Sequence, residues 1–271
     1  MLAYWTHDLS PFLIQFSGNF GIRWYGLAYL VGFVGAGWLL RRYHRAGRST
    51  LDTTAIFDLM TALVAGVILG GRVGYFLLYQ PGAFFSDPLV LFRVWDGGMA
   101  SHGGMAGVAV ALWWFTRKRP ESMLHVSDLV LTTVPIGLFC GRVANFINGE
   151  LWGKITVVPW AVIFSHTGGG PDPRHPSQLY EAALEGIVLF AYLQWRFWKT
   201  DVARPSRRAP GGLTGEFLVL YAVARTICEV YREPDASLIL GVSRGIFYSA
   251  FLVAAGVGFI LRGRPRSQHI A

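Results

Sequence analysis

Two arginines stand where apolar neighbours make a cation expensive. Arg142 lies inside the apolar run 126–147 and Arg72 inside 56–79, and a charge within such a run costs about 2.5–3.5 kcal/mol on insertion scales. Arg232 closes the run 213–231, His102 stands early in 97–115, and Tyr25 opens 22–40. At about 1.5 Å of rise per residue, Arg142 lies about 24 Å from the end of its run near Val126, and Arg72, about 16 residues into a run of the same direction, reaches a similar level. The five side chains therefore share one slab near one face. A planar guanidinium grips phosphate through paired hydrogen bonds, and an imidazole with an ordinary pKa of about 6.5 exchanges protons near neutrality and suits a general base. Phosphate recognition with proton transfer is the chemistry these types suggest, and a phospholipid headgroup is the phosphate most available at that depth. Two plainer readings stay open. Long cationic side chains snorkel or cap helix ends, which applies most to Arg232, and the five glycines of Gly97–Gly107 around His102 also suit close helix packing.

The elements that carry these groups follow from composition. Of 271 residues, 53% are hydrophobic and 15% charged, against about 25% charged in soluble domains; disorder and an ordinary water-soluble fold are excluded. Seven apolar runs, near 22–40, 56–79, 97–115, 126–147, 177–198, 213–231 and 244–261, predict an all-α polytopic membrane protein built as one domain over 1–271. Fifteen Lys and Arg lie after the first, third, fifth and seventh runs and six on the opposite side. The positive-inside rule then sets the carboxyl terminus in the cytoplasm, the amino terminus outside and the slab of polar groups at the outer face. Trp24, Trp38, Trp95, Trp113, Trp114, Trp195 and Trp198 fall near run ends, where indole rings prefer the headgroup level.

The net charge of +8 is explained by this sidedness, so no nucleic-acid partner is expected. Cys140 and Cys228 sit inside apolar runs and the histidines lack ligand spacing, so neither a disulfide framework, a metal nor another cofactor is expected. Residues 1–20 lack the pattern of a cleaved signal peptide, which leaves the first run as its own insertion signal. Lys199–Gly212 reads as a cytoplasmic linker and Leu151–Pro176 as a longer outer segment. GGRVG at 70–74 and CGRVAN at 140–145 are alike only over a few residues, which weakens an inverted-repeat reading. An anion transporter or channel remains the rival of another class, and a membrane scaffold a third; a transport path calls for polar residues through the whole depth, whereas the cytoplasmic halves of runs one, three and five are almost wholly apolar.

The segment Gly141-Arg142-Val143-Ala144-Asn145-Phe146-Ile147-Asn148-Gly149-Glu150-Leu151-Trp152-Gly153 closely resembles the signature of the prolipoprotein diacylglyceryl transferases. Further blocks resemble the same family in the same order: Arg23-Trp24-Tyr25-Gly26, Gly70-Gly71-Arg72-Val73-Gly74-Tyr75, His102-Gly103-Gly104, His175-Pro176-Ser177-Gln178-Leu179-Tyr180-Glu181 and Arg232-Glu233-Pro234-Asp235. Ala100-Ser101 stands where the family commonly has a serine and an aromatic before its histidine. The resemblance implies an enzyme of the bacterial inner membrane that moves a diacylglyceryl group from phosphatidylglycerol to the lipobox cysteine behind a preprolipoprotein signal peptide, at the outer face of the bilayer. It implies His102 as base for the thiol, and Arg142 and Arg232 as cations for the departing phosphate. Tyr25, Arg72, Asn145, Asn148, Glu150 and Gly153 would complete the headgroup site. His175, Ser177, Gln178, Tyr180 and Glu181 would support it from behind, although Ser177 and Glu181 also suit helix capping.

Overall fold

The chain reaches its first helix through short strands. In this computed structural model, which describes residues 4–18, 20–93, 97–199, 210–234 and 237–262, β1 (Trp5–Thr6) precedes an antiparallel pair, β2 (Phe12–Ser17) and β3 (Phe20–Arg23). Helices α1 (Trp24–Arg45), α2 (Thr53–Tyr79) and α3 (Pro81–Ser86) follow, then a 3-10 turn, Pro88–Phe92, and α4 (Ser101–Thr116), α5 (Met123–Leu131) and α6 (Val134–Asn148). After β4 (Val162–Ile163) and β5 (Pro173–Arg174), α7 (Ser177–Glu181) runs through a π-helical segment, Ala182–Val188, into α8 (Leu189–Lys199), and α9 (Gly212–Tyr231) and α10 (Arg244–Arg262) complete the order.

The protein is mostly helical, as expected, with a few short strands outside the helices. Pro11, Pro159, Pro171, Pro173 and Pro176 interrupt the segments outside the helices, so their backbone groups find partners across strands instead: β1 pairs parallel with β4, and β4 antiparallel with β5. Helices occupy all seven apolar runs, with altered ends. The first begins at Trp24 because Phe20–Arg23 pairs with β2, and the third begins at Ser101 because Gly97 and Gly98 hold left-handed backbone. The fourth is broken at Thr132-Thr133 with a bend of 45°. Pro135 brings no N–H to the new helix, while the Thr132 and Thr133 hydroxyls donate back to Leu129 O and Val130 O, each at 2.7 Å. Gln194 Nε2 donates to the freed Thr132 carbonyl at 3.1 Å.

Among the described residues, two helices, Thr53–Tyr79 and Arg244–Arg262, are each long and apolar enough to cross a membrane, and a third span results if the bent pair α5–α6 counts as one. Residues 200–209, most of the expected linker, lie outside the described residues, as do Trp95, Asp235 and the tail from 263.

Two compact units contain these elements, Met1–Trp38 with Asp128–Ala271, and Leu39–Ser127. Within the second, α2 and α4 meet on glycines four residues apart. A Cβ on Gly66 would stand 2.6 Å from Gly107 O, and one on Gly74 would stand 2.6 Å from Gly103 Cα, so the backbones touch where any side chain would part them. Within the first unit, Gly215 of α9 meets Gly256 of α10 in the same way. Asp128 fixes the start of α9, accepting from the N–H groups of Gly211 and Thr214 at 2.7 Å and from the Thr214 hydroxyl at 2.8 Å.

Candidate functional site

In the first unit a buried ionic cluster joins three helical stretches. Helix α6 supplies Arg142, α7 with its π-helical continuation supplies Glu181 and Glu185, and α9 and its end supply Arg225, Glu229 and Arg232. Arg142 Nε and Nη2 both donate to Glu185 Oε2, at 3.0 and 2.9 Å, while its Nη1 lies 3.0 Å from Glu181 Oε2. The other oxygen of Glu181 accepts from Arg225 Nη1 at 2.6 Å and Arg232 Nη1 at 2.9 Å, and Arg225 also pairs with Glu229 one turn along α9. Glu181 and Glu185 are wholly buried.

Carboxylates four residues apart on an α-helix repel. Here the π-helical turn that follows Glu181 and contains Glu185, a geometry that recurs at functional sites, sets them among three guanidinium groups. Arg142 and Arg232 thus meet on one carboxylate, close enough to share a ligand.

A second layer ties the turn after α6 to the cluster. Gly149 ends α6 in left-handed backbone, φ 66°, which suits glycine, and a Cβ there would stand 2.7 Å from the Thr167 side chain. The chain then folds back so that Glu150 accepts from Asn145 Nδ2 at 2.8 Å and Asn148 Nδ2 at 3.4 Å. Asn145 Nδ2 also donates to Tyr25 Oη at 2.9 Å. Gln178 Nε2 donates to Glu150 O at 2.7 Å and Ser177 Oγ to Leu151 O at 3.1 Å. Gly153 donates its N–H to His175 O at 2.9 Å and forms an isolated bridge with Arg232; a Cβ on it would lie 2.5 Å from His175 O and 2.6 Å from Tyr231 O. Capping by Ser177 or Glu181 is not what the geometry holds: α7 has no side-chain cap, and both residues bond to other elements.

His175 and Tyr180 lie beside this layer. Trp160 Nε1 donates to Tyr180 Oη at 2.7 Å, and that oxygen stands 3.1 Å from His175 Nδ1. Burial pulls the His175 pKa below its ordinary value.

Arg72 and His102 belong to the second unit. His102 is an exposed residue in the first turn of α4. Arg72 is 2% exposed, and its five N–H groups meet main-chain carbonyls of Val90, Leu91, Arg93, Gly97 and Gly98. All five donors of a guanidinium are thereby used, so this geometry gives no support to Arg72 as a headgroup ligand.

Arg225, Glu185 and Glu229 escaped the sequence reading, although each is a charged residue inside a predicted run. Their signal is the spacing: Arg225 and Glu229 stand four apart, as ion-paired helix faces do, while Glu181 and Glu185, also four apart, are like charges that call for cationic partners from elsewhere.

Residues 11–262 match the family model described as prolipoprotein diacylglyceryl transferase. The chain belongs to this family. A phosphatidylglycerol–prolipoprotein diacylglyceryl transferase of Pseudoalteromonas atlantica is 46% identical over 273 residues, covering 98% of this chain and 94% of its own. Proteins of the same name from Vibrio atlanticus, 46% identical over 97% of this chain and 93% of their own length, and from Aeromonas hydrophila, 43% identical over 98% and 95%, are similarly close. The part of the chain that matches the diacylglyceryl transferase family includes Arg142, Arg225, Arg232 and the glutamates between them, and also Arg72 and His102.

Proposed function

We infer that this protein is a transferase that moves the diacylglyceryl group of phosphatidylglycerol to the lipobox cysteine of a preprolipoprotein, the first step of lipoprotein lipidation. The names of its relatives support this reading, and so does one geometric observation: Arg142 and Arg232, from separate helical stretches, meet on a single buried carboxylate. In the reaction the thiol proton goes to a base, a sulfur–carbon bond forms, the carbon–oxygen bond to the phosphate breaks, and glycerol phosphate leaves. The thiol, with an ordinary pKa of about 8.5, reacts as thiolate, and His102 is the residue whose chemistry suits the proton. Charge grows on the departing phosphate, where oriented cations lower the barrier most; Arg142 and Arg232 fill that role. Tyr25, Asn145, Asn148, Glu150 and Gly153 orient the headgroup, while His175, Ser177, Gln178, Tyr180 and Glu181 hold the turn and the arginines in place.

The setting proposed is the bacterial inner membrane, crossed seven times by one transferase domain over 1–271, with the amino terminus outside, the carboxyl terminus in the cytoplasm and the reacting groups at the extracytoplasmic face. The partners are the bilayer, phosphatidylglycerol and the signal peptide with its lipobox cysteine; nucleic acid is not among them.

Purified protein given phosphatidylglycerol in detergent and a lipobox peptide, without added nucleotide or metal, is expected to raise the peptide mass by one diacylglyceryl group, and Arg142→Ala to abolish the change. No mass shift, together with anion flux in vesicles, would establish the transporter instead. His102→Asn is expected to slow transfer most at mildly acidic to neutral pH, where unassisted thiolate is scarce.

A further inference from the structure

Arg72 has no part in the proposed reaction, and its surroundings give it a different task. Its Nε donates to Leu91 O at 3.2 Å, Nη1 to Gly98 O at 3.1 Å and to Gly97 O, and Nη2 to Arg93 O at 2.9 Å and to Val90 O. The guanidinium carbon lies 4.8 Å from the centre of the Phe76 ring. A residue meant to grip a headgroup keeps donors turned toward it, whereas this one turns every donor toward its own chain.

Those carbonyls belong to the chain that leads into α4. Gly97 and Gly98 directly precede that helix in left-handed backbone, and neighbouring residues of α2 hold the same place. Ala100 donates its N–H to Gly71 O at 3.0 Å. The Tyr75 ring lies against Gly98, where a Cβ would stand 2.6 Å from the ring edge, and a Cβ on Gly74 would stand 2.6 Å from Gly103 Cα. His102 is the second residue of α4, between the bonded Ala100 and the packed Gly103. Both sides of the histidine are thus fixed to the stretch Gly70–Tyr75.

We propose that Arg72 is a positioning residue: it fixes the backbone of residues 90–93 and 97–98, and through them the first turn of α4 and His102, and it does not bind the lipid phosphate. The effect on turnover rests on His102 being the base of the proposed reaction; the effect on the backbone does not.

The test uses Arg72→Lys in the full-length protein, because an ammonium donates from one point and cannot span five carbonyls. Hydrogen exchange of the amides from Gly97 to Gly104 is expected to quicken about tenfold as local opening becomes easier. Transfer to the lipobox peptide is expected to lose kcat by about 10²-fold, the scale of a misplacement near 1 Å, while KM for phosphatidylglycerol stays within about twofold of the parent because no headgroup contact has been removed. A rise in KM for phosphatidylglycerol with unchanged exchange makes Arg72 a headgroup ligand and overturns the proposal. Should Arg72→Lys not fold, Arg72→Gln keeps one amide donor group on a shorter stem and loses the five-carbonyl span. Faster exchange over the same amides supports the proposal, and unchanged exchange overturns it. His102→Asn tests the other reading separately: full activity there retires the base assignment, and the exchange result still decides Arg72.

Discussion

Replacing Arg142 by Lys keeps the charge and removes the fork. The guanidinium donates to Glu185 through Nε and Nη2, at 3.0 and 2.9 Å, and approaches Glu181 through Nη1 at 3.0 Å. These contacts point in different directions from one plane, and an ammonium at the end of a flexible stem keeps about one of them at full strength. Hydrogen bonds to charged groups contribute about 1.5–3 kcal/mol each. With the charge retained, the expected loss of stability is about 2–4 kcal/mol, at or below the about 3–5 kcal/mol that follows when one partner of a buried pair is deleted. Turnover should fall further, since removing one preorganised donor from a site of developing negative charge costs about 10²–10³ in rate. The measurements are peptide mass shift at saturating phosphatidylglycerol and thermal unfolding in the same detergent. A Lys variant within about threefold of the parent rate would refute the reasoning, because it would show that charge without bidentate geometry suffices.

Three other outcomes follow from the same contacts. Glu181→Gln leaves three arginines facing two carboxylates in a buried cluster, and is expected to cost about 3–5 kcal/mol in thermal or denaturant unfolding; Glu233→Gln, which breaks a pair with Arg174 whose carboxylate is 43% exposed, should cost about 0–1 kcal/mol. Gly103→Ala forces α2 and α4 apart where Gly103 Cα already lies against Gly74, with a loss of about 1–3 kcal/mol read as a lower melting temperature. His175, whose pKa is lowered by burial, binds its proton more readily in the unfolded chain, so stability falls as pH drops through about 6.5; His175→Gln should remove that part of the pH dependence, and an unchanged acid limb would dissociate it from this ring.

The sequence showed where the helices lie because the apolar runs are long and the basic residues between them are unevenly shared, both consequences of the hydrocarbon solvent rather than of packing. It did not show the break at Thr132-Thr133. A proline near the start of a helix is usual, and only the hydroxyl bonds and the Gln194 contact reveal a bend. The glycines around His102 were readable as packing, and their period of four matches Gly66, Gly70 and Gly74 on α2. Arg72 and Arg142 look alike in sequence, each after a glycine and before a valine, yet one meets carbonyls and the other carboxylates. The partner, not the motif, separates their roles, and partners from distant segments cannot be read from spacing. Acidic residues were the larger omission. Weighing every charge inside a run, acidic as well as basic, sets Glu185, Arg225 and Glu229 beside Glu181.

That omission matters to the proposed chemistry, in which the lipid phosphate enters this cluster. Three guanidinium groups gathered in a low-dielectric place repel one another, and the glutamates remove that cost before any substrate arrives. A phosphate entering the cluster must therefore compete with carboxylates for the same donors, and the exchange of one anion for another adds little ground-state affinity. The balance changes as the carbon–oxygen bond breaks. The phosphate of phosphatidylglycerol carries one negative charge shared over its two non-bridging oxygens, whereas the departing glycerol phosphate gains a second on the oxygen freed from carbon. In the proposed reaction, arginines shared with Glu181 and Glu185 would then bind the transition state better than the lipid, which is the only kind of binding that raises kcat. A buried, charge-balanced cluster is thus better suited to this reaction than a set of unpaired cations, which would hold the lipid tightly and gain less as it reacts.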